Sequence, residues 1–302
     1  MSGLSWGRRL LMCRPEHFGV AYEINPWMHA EVHPDLDLAR DQFDHLVATL
    51  GAAGAQIQFQ DPVEGVPDLV FTANAGIVNG HQFVPASFRH PQRRAETPHD
   101  VAWFRDRGWK VDYLPTGLRH EGAGDALPFE ADPDQLRPRF ASAASEGGRG
   151  AEVRGPVLVS GYRLRSDAAS HGPLSGLVGA PVRSVELVDE RLYHLDLVFC
   201  PLDGRRAMVA PLGLDSYGLR VIKALVPELL VLEDPEALAF VANSVVVDHN
   251  IVMPACPTRV GHQLEAWGFT VAVAPVGEFQ KAGGGCRCLT LALDTTLGSP
   301  LH

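Results

Sequence analysis

The sequence predicts an internally repeated α/β domain, on three observations. Apolar runs of strand length recur from one end of the 302 residues to the other, and helical patterns alternate with them. Several blocks also share one plan: a hairpin of two strands, a helix, then another strand ending in a polar loop. The blocks show no sequence identity that marks a repeat, so the repetition lies in the order of elements.

The strand-like runs, in order, are RLLMC (9–13), AQIQFQ (55–60), LVFTAN (69–74), GIVNGHQFVPA (76–86), KVDYLP (110–115), GPVLVSGY (155–162), AMVAPL (207–212), LLVLED (229–234), SVVVDHNIVMP (244–254), TVAVAPV (270–276) and CLTLAL (288–293). Helical spacing is clearest over 37–54, 99–108, 216–226 and 257–268, with glycine suited to a helix C-terminus. The stretch PRFASAASEGGRGAEVRG, 138–155, is expected to be a mobile surface loop within a single domain spanning 1–302. Motifs on both sides of it belong to one constellation.

Composition narrows the function. With 46% hydrophobic residues, a chain of this length buries a core without metals or disulfides. No apolar run approaches the roughly 20 residues that span a bilayer, and the start of the chain lacks a signal peptide's apolar segment. Five scattered cysteines are odd in number and do not form a secreted disulfide framework, so reduced thiols and a cytoplasmic setting are expected. A net charge of -10 argues against a nucleic-acid surface, whereas local carboxylates on an acidic protein suit a cationic small molecule.

Near the end of the chain, KAGGGCRCLT sets Cys286 and Cys288 after three glycines. No second pair of ligands stands at zinc-finger spacing, and a disulfide between the two would be strained, which leaves one reactive thiol or two inert ones. Glycine lets a backbone approach a ligand closely and leaves N–H groups free to favour a thiolate. A thiol enzyme also needs a base. YHLDLVFCPL supplies His194 and Asp196, two apart in a strand-like run and so on one face, with Leu195 and Leu197 pointing into the core. HEGAGDAL adds Glu121 and Asp125 in a glycine turn, and PDLVFTANAG brackets a strand-like run with Asp68 and Asn74. Several carboxylates beside one thiol and one histidine suit a cation with many N–H donors, such as a guanidinium.

The ordered motifs YEINPWM, PDLVFTANAG, SFRHPQRRAE, HEGAGDAL, GYRLRS, YHLDLVFCPL, ANSVVV and GGGCRCLTL resemble those of the guanidino-group-modifying enzymes of the pentein fold. The resemblance covers nearly the whole chain and is closest to arginine dihydrolases. It implies a five-bladed α/β propeller of ββαβ repeats and no metal or organic cofactor. It also implies Cys288 as nucleophile, His194 as general acid and base, Glu121 as its catalytic partner, and Asp196 as a guanidinium ligand. Asp68, Asp125 and Asn25 fall among the substrate-site positions, and Arg93 and Arg165 match arginines that meet the substrate carboxylate. Asn74 stands where deiminases and dimethylaminohydrolases carry aspartate. Asparagine donates as well as accepts, which suits a neutral ureido intermediate held for a second attack. A dimethylaminohydrolase, a deiminase and an amidinotransferase are the neighbouring activities, and a pentein ribosome-binding factor is the non-enzymatic one. The partner is a small guanidino compound, and a homo-oligomer is compatible with the family.

Overall fold

A computed structural model describes residues 7–130 and 156–297, so the stretch 138–155 lies outside the described residues. Five three-stranded sheets repeat one plan, in which an antiparallel pair is extended by a parallel third strand. The first four, in chain order, are β3 (Gly76–Asn79), β4 (Gln82–Pro85) and β5 (Lys110–Val111); β6 (Ala126–Phe129), β7 (Val157–Tyr162) and β8 (Val182–Glu186); β9 (Phe199–Pro201), β10 (Arg206–Val209) and β11 (Glu228–Val231); and β12 (Val245–Val247), β13 (Asn250–Met253) and β14 (Thr270–Val273). The fifth joins the two ends of the described chain. Strand β15 (Leu291–Ala292) lies antiparallel to β1 (Arg9–Cys13), Leu10 opposite Ala292, and β1 runs parallel to β2 (Gln56–Gln60). This is the pentein arrangement of five small mixed sheets.

Helices connect second to third strands, since a parallel return needs a crossover. They are Leu36–Ala52, Glu96–Asp106, His171–Val178, Ser216–Leu225 and Thr258–Ala266. Local chemistry starts and stops them. Asp35 accepts hydrogen bonds from the backbone N–H of Asp37 and Leu38, Asp215 does the same for Tyr217 and Gly218, and Gly179 ends its helix with a φ of 66°. Apolar faces of helices and sheets merge into a core that includes Phe43, Phe199, Phe240 and Phe279. Among the described residues no helix is long and apolar enough to cross a membrane.

Three strand-like runs are corrected. LVFTAN forms two 3-10 turns, Pro67–Val70 and Thr72–Asn74. In YHLDLVFCPL, Leu195–Leu197 is another such turn, and the strand begins only at Phe199, so His194 and Asp196 do not share a strand face. In CLTLAL, Cys288 sits in a turn, and only Leu291–Ala292 pairs as strand. In each case burial accounts for the apolar residues, and an apolar run looks alike whether a strand or a tight turn is being buried.

Candidate active site

Each of the five repeats carries a polar residue just ahead of its first strand. Asn74 precedes β3, Asp125 precedes β6, Asp196 precedes β9, Asn243 precedes β12 and Cys288 precedes β15. The turns at these positions bring together residues far apart in sequence, and all five side chains are buried.

The glycines before Cys288 are each required by a neighbour. Gly283 has a φ of +87°, a Cβ on Gly284 would meet the Phe71 ring at 2.2 Å, and one on Gly285 would meet Asn243 Oδ1 at 2.6 Å. That close approach lets one side chain fix the turn. Asn243 Oδ1 accepts from the backbone N–H of Arg287 (2.9 Å) and Cys288 (3.1 Å), while its Nδ2 donates to the Asp196 carbonyl and to Cys288 Sγ, both at 3.2 Å. The Cys288 thiol lies 3.5 Å from Asp196 Oδ2 and can donate to it. Burial, reinforced by the Asp196 charge, pushes the Cys288 thiol well above its ordinary range, and burial raises Asp196 to about 7 against the pull of Arg287. The unliganded sulfur is therefore a neutral thiol.

His194 Nε2 is 2.9 Å from Glu121 Oε2, and Arg165 Nη1 donates to the same oxygen at 3.1 Å. Burial would raise the Glu121 carboxyl, but Arg165 and the hydrogen bond with His194 outweigh it and hold the group below the usual carboxylate range. An ionised Glu121 only accepts, so Nε2 carries the proton and Nδ1 the lone pair. Burial lowers His194 to about 4 despite Glu121, so the ring is neutral at pH 7. Asp125 is structural in its contacts. It accepts from Ser166 Oγ (2.6 Å) and from the Leu195 backbone N–H (3.1 Å), which pins the turn between His194 and Asp196.

Asp68 accepts from Tyr22 Oη at 2.9 Å through Oδ2, and its Oδ1 is buried without a hydrogen-bond partner. Asp196 Oδ1 is likewise buried and unpartnered. Native interiors rarely leave such acceptors unpaired, and the one on Asp196, beside the Cys288 thiol, is open to a ligand's N–H group. Asn74 donates to the Glu121 carbonyl and accepts from Arg93 Nη1, both at 3.0 Å. Arg93 departs from its expected role. Its Nε and Nη2 are both 2.7 Å from Glu96, and it is 3% exposed, so its fork is filled inside the protein and its free edge holds Asn74. Arg165 stacks on the Tyr193 ring at 4.4 Å and, with Asn25, His90 and Glu190, lines an open pocket of about 550 Å³. Asn25 binds the Ala282 carbonyl and the Trp27 backbone N–H, fixing the entrance loop next to the glycine turn.

The structure thus groups Cys288, Asp196, His194, Glu121, Asn74, Asp68, Asp125 and Arg165, and adds Asn243, which lay inside the motif ANSVVV without a role. Its signal in the sequence was positional: a polar residue immediately before a predicted hairpin, as in the other repeats. Among the described residues no three His, Cys, Asp or Glu side chains are grouped to hold a metal ion.

Fold and site together define a pentein whose polar turns converge on one buried cysteine. No family model matches the chain. The N(G),N(G)-dimethylarginine dimethylaminohydrolase of Mycobacterium tuberculosis is 32% identical over 288 residues, covering 95% of this chain and 86% of that protein. The bifunctional arginine dihydrolase/ornithine cyclodeaminase ArgZ of Synechocystis sp. is 36% identical over 297 residues, but the chain spans only 39% of its length. Among solved structures, the N-terminal domain of ArgZ bound to substrate superposes with a TM-score of 0.84 at 36% identity, covering 95% of this chain and 98% of that one. The chain belongs to the guanidino-group-modifying family that contains the dimethylarginine dimethylaminohydrolases.

Proposed function

We propose that this chain is a single catalytic domain that hydrolyses arginine to ornithine, carbon dioxide and ammonia through covalent intermediates on Cys288. The observation that carries this reading is the buried, unpartnered Asp196 Oδ1, on the carboxylate whose other oxygen lies 3.5 Å from the neutral Cys288 thiol. A guanidinium donates to that free acceptor and adds positive charge beside the sulfur. Once Asp196 is paired with that cation, its repulsion of a thiolate is offset, so substrate binding itself favours ionisation of Cys288.

The thiol proton passes to His194, the thiolate attacks the guanidinium carbon, and the C–N bond to one terminal nitrogen breaks as the His194 imidazolium gives that proton to the departing ammonia. Glu121 orients the imidazole and stabilises its charged form. Water, activated by His194, cleaves the carbon–sulfur bond and leaves citrulline in place. A second attack on the ureido carbon expels ornithine, and hydrolysis of the carbamoyl-enzyme gives carbon dioxide and a second ammonia. Two waters are consumed in all. Arg165 is as buried as Arg93, with Nη1 on Glu121 and Nη2 on the Ile24 carbonyl, but unlike Arg93 it lines the open pocket, and it is the group we assign to the substrate carboxylate; Asn25 shapes the same entrance.

Asn74 supports two rounds of hydrolysis over one, because its amide serves a neutral ureido group that a carboxylate would not. The likeness to ArgZ supports the same choice. Dimethylarginine hydrolysis is the second reading, supported by the mycobacterial relative that the chain matches over most of its length. A cytoplasmic setting belongs to this reading, and five free cysteines support it. Incubation with arginine, citrulline and dimethylarginine, with ornithine, citrulline, ammonia and dimethylamine quantified, decides between them. Ornithine with two ammonia per arginine is expected, and citrulline as a final product or release of dimethylamine would overturn the dihydrolase reading.

A further inference from the structure

Three arginines near the site are more than nine-tenths buried, and they differ in one respect. Arg93 is bound to Glu96 and Arg165 to Glu121, each with N–O distances of 3.1 Å or less. Arg287, 8% exposed, has no hydrogen-bonded or ion-paired partner for its guanidinium among the described residues. The Asp196 charge stands near enough to favour the cation, but five N–H groups without an acceptor in a buried position remain costly unless something else accepts from them. Its side chain lines a small cavity among the first strands of four repeats, bounded by Leu127, Phe199, Cys200, Val245 and Ala292. The space measures about 20 Å³, and roughly 10–15 Å³ is what one water-sized particle requires. That size admits a monatomic ion and excludes sulfate, phosphate or a carboxylate.

We propose that this cavity is a halide site, in which a single chloride-sized anion is held by Arg287 directly behind the catalytic turn. The consequence for chemistry follows from position. Arg287 precedes Cys288, the backbone N–H groups of both residues bind Asn243 Oδ1, and the Arg287 guanidinium and an ionised Cys288 sulfur attract each other. An anion on Arg287 cancels part of the guanidinium charge, so it makes the Cys288 thiolate harder to form. Chloride acts as a brake on the thiol, applied from a cavity that shares no lining residue with the open pocket. The site does not depend on which guanidino compound Cys288 attacks.

Two measurements on the whole chain test this. In crystals grown in bromide, an anomalous peak is expected against the Arg287 guanidinium and is expected to vanish in Arg287→Met. Water alone at that position in the bromide crystals would overturn the proposal. In solution, alkylation of Cys288 by iodoacetamide is compared in chloride and gluconate at constant ionic strength, with Cys286→Ser as background. Chloride is expected to slow alkylation roughly three- to tenfold, the scale of one partly screened charge a few ångströms away, with Arg287→Lys retaining the effect. An equal effect from sulfate, which the cavity cannot hold, would indicate general screening and overturn it.

Discussion

Cys286 and Cys288 follow the same three glycines, and both are buried with thiols pushed up by burial. Their surroundings differ. Cys286 Sγ donates to the Ala274 carbonyl at 3.3 Å, a neutral contact in the core. Cys288 Sγ stands between an amide N–H and a carboxylate. A reactive cysteine in this fold is therefore distinguished neither by exposure nor by a pre-formed thiolate. It is distinguished by a carboxylate that can exchange the thiol proton for a substrate cation.

The sharpest way to break that contrast is to exchange the sulfurs for hydroxyls. Cys288→Ser is expected to lower kcat by about 10⁴-fold or more, because a serine in this setting lacks the accessible anion, while arginine binding persists. Cys286→Ser should keep kcat within a few-fold. Comparable losses in both would show that the turn, not the second sulfur, is what matters.

Asn243→Ala comes next. It removes donors and acceptors from the sulfur, from Asp196 and from two backbone amides at once, and a loss of roughly 10²-fold in kcat/KM is expected, similar to removal of a preorganised donor elsewhere. An unchanged kcat/KM would mean that the glycine turn holds itself.

Proton linkage gives a third test. Asp196 has its folded value raised from 3.8 to about 7. The folded state therefore binds the proton more tightly than the unfolded chain, so the stability this group contributes is full below 3.8 and is lost as pH rises through about 7. Activity runs the other way, because only the carboxylate holds a cation: kcat/KM should rise with pH on a limb near 7. Urea titrations across pH 4–8 should show the stability decline in the wild type and a flatter profile in Asp196→Asn. A wild-type profile as flat as that of Asp196→Asn would remove the titration from Asp196.

The smallest effect concerns packing alone. Gly284→Ala drives a methyl into Phe71 and is expected to cost about 1–3 kcal/mol, the usual range for overpacking, read as a lower urea midpoint. A midpoint equal to the wild type would show that the Phe71 ring yields.

Much of this molecule was legible before any coordinates, and the limits have physical causes. GIVNGHQFVPA and SVVVDHNIVMP announced hairpins because a two-strand turn is local chemistry, and the capped amphipathic helices did the same. The 3-10 turns at Thr72–Asn74 and Leu195–Leu197 were hidden, since all six of their residues are buried as thoroughly as those of a strand. The site was legible where a family motif marked it, as for Cys288, His194 and Glu121. It was not legible where a residue's partner lies far along the chain: nothing in HPQRRAE says that Glu96 fills the Arg93 fork, and nothing in ANSVVV says that Asn243 reaches across 45 positions to Cys288.

The pairing of β15 with β1 makes the fifth sheet a clasp between the first and last described strands. Among the described strands β1 is synthesised first and β15, with Cys288 just ahead of it, last, so four repeats can collapse while that sulfur is still absent. The proposed nucleophile comes into place only when the ring shuts. On that assignment, a chain that fails to shut carries the histidine and the carboxylates yet no thiol in place, and such a species is expected to be inert.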